Sequence, residues 1–325
     1  MRFFGVIAAG VAAAAMAVAW PALPAAEPLQ IRLGYGPAAE EQLWLMKAKP
    51  DITPGQGTDY ALDFQLFRGT DQRFKAVEAG ELDVFTGSSA SAILAWSQGF
   101  DFKAVASVTR ESSQGFVVQY MVLADSPIRT VEGLKDKTVG NNAARSSIEM
   151  WARMALIKHG LNPDRDVSWA IVPFPSQGEA VRSGKIDVGA FPQPFAAAEM
   201  GRGGLRSLFT SREGMPFDEE VQLILVTKDF AAKHPDVLRS FVADFVAATR
   251  FYVDHPKEAR QALLDSKMVR LPPELFLAMH DHYRDPSGRI SFEAMKNAQD
   301  AMLKVGYQKT PVDLEKFVDL GFLPK

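Results

Sequence analysis

The side chains of this sequence that could do chemistry are mostly hydroxyls placed where helices begin. Ser88 and Ser89 follow the apolar run Leu82 to Thr86, and Ser146 and Ser147 precede the amphipathic run Ile148 to His159. Ala38 to Glu40 and the loop Phe191-Pro192-Gln193 hold the matching place after two further strand-like runs. The first turn of a helix carries unpaired N–H groups and the positive end of the helix dipole, so these positions favour an anion. Arg145, beside the second serine pair, is equipped to grip a carboxylate or sulfonate with two parallel hydrogen bonds. Tyr35, Gly36 and Pro37 form the loop after the first strand, where open α/β sheets place their ligand crevices. Gly115 and Phe116 open a later apolar run, and Tyr35, Trp44, Phe116 and Phe191 can supply an apolar wall. Glu40 can meet a ligand's amine or favour its own helix N-terminus, and the second role is the expectation.

Catalysis finds no comparable support. The sequence has no Gly-x-x-x-x-Gly-Lys-Ser/Thr loop, no Gly-x-Gly-x-x-Gly, no Gly-x-Ser-x-Gly and no His-Glu-x-x-His. It has no Cys, which excludes thiol nucleophiles, thiolate metal sites and disulfides. Of the five His residues only His280 and His282 are close, and on a helix that spacing points them to different faces. No metal or cofactor is expected.

The elements that must position these loops come in two similar sets. Ala76-Val77-Glu78-Ala79-Gly80-Glu81-Leu82-Asp83-Val84 returns as Ala180-Val181-Arg182-Ser183-Gly184-Lys185-Ile186-Asp187-Val188. Each copy reads as a helix end, a Gly cap and an Asp at the mouth of a strand, so an α/β unit is used twice. Strands are expected at 29–35, 61–67, 82–86 and 103–108, and again at 135–140, 167–172, 186–191 and 205–209. Helices are expected at 38–47, 71–79, 148–159, 177–183 and 195–200, and over 237–252, 276–282 and 292–305. Gly115 to Ala124 is an apolar run that no helix follows, read as a crossing strand, and Val221 to Thr227, with no helix before it, as the return crossing, so that two strands make a hinge. The expectation is an α/β protein of two lobes, each a mixed sheet flanked by helices. Residues 27–120 and 223–325 make the first lobe, with the C-terminal helices, and residues 121–222 the second.

Composition agrees with a globular chain that does not bind nucleic acid. The 325 residues are 47% apolar with a net charge of −3, and no basic run interrupts them. Residues 1–26 read as a cleavable signal peptide: Arg2, an apolar run from Phe3 to Ala19, then small residues to Ala26. A periplasmic, monomeric protein is expected.

One phrase, Lys228-Asp229-Phe230-Ala231-Ala232-Lys233-His234-Pro235-Asp236-Val237, is specific enough to compare with known families. With Gly80-Glu81-Leu82-Asp83-Val84 before Gly87-Ser88-Ser89, Leu134 to Val139, and Gly184-Lys185-Ile186-Asp187 before Pro194, it resembles the nitrate, sulfonate and taurine group of ABC-transporter solute-binding proteins. That resemblance, which runs from Ile31 to the end, implies the type II periplasmic-binding fold. It implies a receptor that closes on a small organic anion by its hinge, with an ABC permease and ATPase of the inner membrane as partners. It carries ligand contacts onto Tyr35 and its loop, Ser88, Ser89, Ser146, Ser147 and the loop 191–194. Two departures bear on the ligand: Arg145 stands where taurine-like relatives have a small hydroxyl residue, and Phe191 lacks the Trp often found before the Pro. The ligand is therefore open between a sulfonate such as taurine or an alkanesulfonate and a carboxylate or aromatic acid, with nitrate and pyrimidines also in view. Two other roles stay open: an enzyme on the same scaffold, similar to pyrimidine synthases, and a receptor that presents its ligand to a membrane sensor.

Overall fold

The computed structural model describes residues 27–325 together with Met1, so the expected signal peptide lies outside the described residues. Ten strands are present: β1 Leu29–Tyr35, β2 Tyr60–Leu66, β3 Val84–Ser88, β4 Phe102–Glu111, β5 Gln119–Leu123, β6 Lys137–Asn141, β7 Val167–Ile171, β8 Gly189–Phe191, β9 Leu205–Thr210 and β10 Glu219–Thr227. The first sheet runs β2-β1-β3-β10-β4, with β10 alone antiparallel to its neighbours. The second joins the parallel pair β7-β6 to the ladder β8-β5-β9 through a parallel bridge between Val139 and Val188. Read outward, the two orders are one pattern: β6, β7, β8, β5 and β9 repeat the places of β1, β2, β3, β10 and β4.

The repeated nonapeptide makes the same corner in both sheets. Gly80 and Gly184 sit in the left-handed region at φ 72° and 71°, a conformation a side chain disfavours. The N–H of Glu81 returns to the Ala76 carbonyl and that of Lys185 to the Ala180 carbonyl, closing each helix end. The Asp then ties the corner to the neighbouring strand. Asp83 accepts the Arg32 N–H at 2.9 Å and holds the Arg32 side chain, while Asp187 accepts the Thr138 N–H at 2.8 Å. Both residues thus fix where a parallel strand starts.

The expected elements are present with two corrections. The expected crossing strands Gly115 to Ala124 and Val221 to Thr227 are strands, but each lies inside a sheet: β5 is a central strand of the second and β10 of the first. The chain passes between sheets over residues 112–118 and returns over 211–218. Apolar sequence marks strands buried on both faces. The helix expected at 276–282 ends at Leu277. The chain beyond it runs extended along the edge strand β4, where Arg110 donates to the Tyr283 carbonyl and Ser107 to that of Gly288. Backbone groups that a helix would have satisfied internally are satisfied by a sheet edge instead. Gly115 packs on this strap so closely that a Cβ would lie 2.3 Å from the Tyr283 nitrogen.

The C-terminal helices cover the first sheet. Phe241, Phe245 and Tyr60 fill the space between helix Pro235–Asp254 and β1, β2 and β10, all fully buried. Asp244 at mid-helix accepts from the Tyr60 hydroxyl at 2.7 Å and from the N–H of Gly55 at 3.0 Å. Removing the corner carboxylate by Asp83→Ala should lower unfolding free energy by roughly 1.5–3 kcal/mol, the range for hydrogen bonds to charged groups. Urea unfolding monitored by circular dichroism measures it; a change within error would show that the corner forms without its Asp.

Candidate functional site

The carboxyl ends of the strands in both sheets face one another across a narrow cleft. Its walls are Ala38, Ala39, Thr70 and Ser88 from the first sheet's loops and Asn142, Ser146, Ser147, Phe174 and Pro192 from the second's. Val118, Val221, Gln222 and His282 form its floor. Space for the centre of a water-sized sphere amounts to about 30 Å³, enough for one or two waters.

Four helices start at this cleft. Thr70–Glu78 presents Thr70, Ser89–Ser97 is capped by Ser88, Ser147–Lys158 is capped by Ser146, and Phe174–Arg182 begins at Phe174. Ser88 accepts the Ser91 N–H at 3.3 Å and Ser146 the Glu149 N–H at 3.4 Å, so both hydroxyl oxygens serve their own helices. The Ser147 hydroxyl, 3.4 Å from that of Ser89, stands at the cleft wall with no helix-capping bond. Asn142 Oδ1, Gln222 Oε1 and His282 Nδ1 are buried without a partner. The His282 ring is 4% exposed, and its Nε2 accepts the Gln193 N–H at 3.2 Å, which leaves the proton on Nδ1. Burial holds its pKa down to about 4, so the imidazole is neutral at pH 7. No Lys, Arg, Asp or Glu lines the cleft.

Behind the wall lie two buried carboxyl groups opposed in register, Glu111 on β4 and Glu219 on β10. Glu219 accepts from Ser89 at 3.2 Å and from the Trp151 indole N–H, joining the two serine loops from beneath. Glu111 accepts the Val118 N–H at 2.8 Å and the Ser211 hydroxyl. Burial pushes Glu219 up to about 8 and Glu111 to about 7, only partly offset by these donors.

The structure divides the expected site residues. Ser88, Ser146, Ser147 and Pro192 line the cleft, and Ser89 lies one layer deeper. Gln193 and Phe116 act on His282: the former donates to its ring, and the latter packs edge-on at 5.2 Å. Phe191 is core, and Gly115 packs on the 281–283 strap. Arg145 is a correction. It is exposed, lies at φ 56°, and faces an outer groove with Glu149, Arg153 and Trp169, because its backbone turns outward so that its N–H can reach Glu149. Glu40 is a second correction. Open to a ligand's amine and expected to serve its own helix N-terminus, it makes no capping bond there and instead meets the Gly36 N–H at 2.9 Å, the Thr86 hydroxyl at 2.8 Å and Arg73 at 3.2 Å, all buried. That grip holds Ala39 at φ 59°, so helix Glu41–Ala48 starts later than its apolar pattern suggests. Tyr35, Gly36 and Pro37 line a separate, outer cavity. Thr70, Asn142, Phe174, Gln222 and His282 were not among the expected contacts. Thr70 and Phe174 follow β2 and β7, and the strand-end rule applied to all strands would have found them.

A profile of the NMT1-like family matches residues 24–265. The chain belongs to the NMT1-like family. No curated protein sequence matches it significantly. Among solved structures the alkanesulfonate-binding protein of Xanthomonas axonopodis pv. citri, bound to MOPS, superposes with a TM-score of 0.74 at 21% identity, covering 90% of this chain and 99% of that one. The zinc-bound ligand-binding component of an ABC-type import system from Staphylococcus aureus gives 0.75 at 16%, covering 90% and 97%. The periplasmic nitrate-binding protein of Synechocystis PCC 6803 gives 0.71 at 12%, covering 91% and 87%. This NMT1-like chain therefore has the periplasmic-binding-protein fold. Among the described residues no group of three or more His, Asp or Glu is placed to hold a metal ion, and no helix is long and apolar enough to cross a membrane.

The buried acids give this NMT1-like protein a pH signature. Glu219 and Glu111 stay protonated in the folded state while their unfolded counterparts ionise near 4.5, so the unfolded state binds fewer protons and stability falls as pH rises from about 4.5 through 8. Each such group contributes a slope of up to about 1.4 kcal/mol per pH unit within its window. Melting temperature should drop between pH 6 and 8.5, and Glu219→Gln should flatten the profile. An identical slope in the variant would show that Glu219 ionises freely in the fold.

Proposed function

We propose that this protein is the solute-binding receptor of an ABC importer and that it takes a small anion between its two sheets. The observation that carries the reading is the convergence of four helix N-termini, with the Ser147 hydroxyl among them, on a cleft with no charged side chain. Oriented N–H groups and dipole ends hold negative charge without a counter-ion. The nearest buried cation, Arg73, reaches the Thr70 hydroxyl at 3.1 Å but is neutralised by Glu40.

Residues 27–111 with 219–325 form one lobe in this reading and residues 119–210 the other, and the passages 112–118 and 211–218 are the hinge. Ligand shifts the balance between open and closed arrangements, and no bond is made or broken. The alkanesulfonate and nitrate binding of the structural neighbours supports an oxyanion head of the sulfonate, carboxylate or nitrate type. A cleft of this size receives the head of such a molecule. The signal-like N-terminus and the periplasmic neighbours support secretion to the periplasm, where a permease and ATPase would accept the ligand.

Thermal-shift screening of the mature chain with nitrate, short sulfonates and short carboxylates tests the reading. A ligand at a hundredfold excess over its Kd should stabilise by about 2.7 kcal/mol, raising the melting temperature by roughly 5 °C. Calorimetry on the best hit should then show affinity reduced about tenfold or more by Ser147→Ala, the loss of one charge-assisted hydrogen bond, and unchanged by Arg145→Ala. Stabilisation by none of these anions, or a hit indifferent to Ser147→Ala, would sink the assignment.

A further inference from the structure

A large cavity lies outside the anion cleft. It measures about 520 Å³ and opens on the same seam between the sheets. The two spaces share their walls: Pro37, Pro175 and Pro194 face outward beside Ala38, Phe174 and Pro192, which face inward. The stacked rings of Phe174 and Phe195, 5.9 Å apart, separate them. Trp44 floors the outer cavity with its N–H already donated to the Gly36 carbonyl, so the indole offers only apolar surface. Leu66, 56% exposed at the end of β2, stands at the rim. So do Lys267 and Arg270, exposed and without an ion-pair partner among the described residues, and no acid lines the cavity.

Its volume is that of a ligand pocket, and an apolar body ringed by two unpaired cations and no anion specifies its occupant. We propose that this outer cavity is a second binding site, for a hydrophobic monoanion: a medium-chain or aryl carboxylate whose body lies on Trp44 and Leu66 and whose charge meets Lys267 and Arg270. The site is independent of what fills the inner cleft. Because one wall comes from each sheet and a third from the strap 267–271, an occupant there also holds the sheets together.

Titration calorimetry of the mature chain with octanoate and with octylammonium, chains of equal length and opposite charge, tests this. Octanoate should bind one to one, and octylammonium at least about tenfold more weakly, since the rim repels it. Leu66→Asp and Arg270→Glu, both at exposed positions and checked for unchanged melting temperature, should each weaken octanoate by about tenfold or more. Ser147→Ala, which alters only the inner cleft, should leave it unchanged. Equal binding of the two amphiphiles, octanoate affinity indifferent to both rim variants, or its loss in Ser147→Ala would each overturn the second site.

Discussion

Both passages of the chain between the sheets are tied at one place. The Ser211 N–H donates to the Val118 carbonyl at 3.0 Å, and Glu111 spans the pair by accepting from the Val118 N–H and the Ser211 hydroxyl. Glu111 ends β4 and faces Glu219, which begins β10, so the clamp grows from the two strands that receive and dispatch the chain. Two fully buried carboxyl groups this near cannot both ionise cheaply. Their burial costs stability, and what it secures is geometric: Glu219 reaches Ser89 of one half and Trp151 of the other, while Glu111 fixes the passages between them. The cleft's width depends on that arrangement, because every loop that lines it is anchored to a strand on one side of the clamp.

Around this clamp the molecule is one unit used twice. The strand orders correspond place for place, and the corner that precedes β3 also precedes β8. This much was legible in the sequence because the corner's needs are local: a residue at positive φ after a helix, and a carboxylate to hold the next strand's N–H. The serine pairs were legible for the same reason, since a hydroxyl at a strand end before a helix has few places to point. What misled was equally physical. The two crossing strands were recognised as strands but read as the hinge itself, yet runs apolar enough to be buried on both faces belong inside a sheet.

The charged residues were the least legible part, because their positions are set by partners distant in sequence. Glu40 pairs with Arg73, and Arg284 reaches Glu41, Gln42 and Asp281. Local sequence offered Glu40 a plausible role at a helix end, and tertiary contacts took precedence. Arg145 shows the converse. Its place before two serines suggested an anion clamp, but one backbone torsion in the left-handed region sends its side chain out of the cleft. His282 was invisible as a floor residue because its segment looked helical, and a helix would have carried it elsewhere.

The absence of a lining cation constrains selectivity. A guanidinium in the cleft would reward the number of charges on a ligand; N–H groups and hydroxyls reward the shape and acceptor count of its head. Asn142 Oδ1 and Gln222 Oε1, both buried and unpartnered at the cleft, add two acceptors, while His282 Nδ1 lies 3.9 Å from Glu111 Oε2. A head that is all acceptors leaves Asn142 unsatisfied, and a buried unpaired carbonyl costs about 1–3 kcal/mol. If the proposed receptor role holds, bare nitrate or a simple sulfonate would fit less completely than an anion that carries its own donor, such as an amino or hydroxyl group. Since about 30 Å³ is open in this arrangement, that donor must sit within two or three bonds of the charged centre. In the proposed receptor, entry of such a group would part the sheets, and the strain of parting would fall on the short passages that Glu111 holds together.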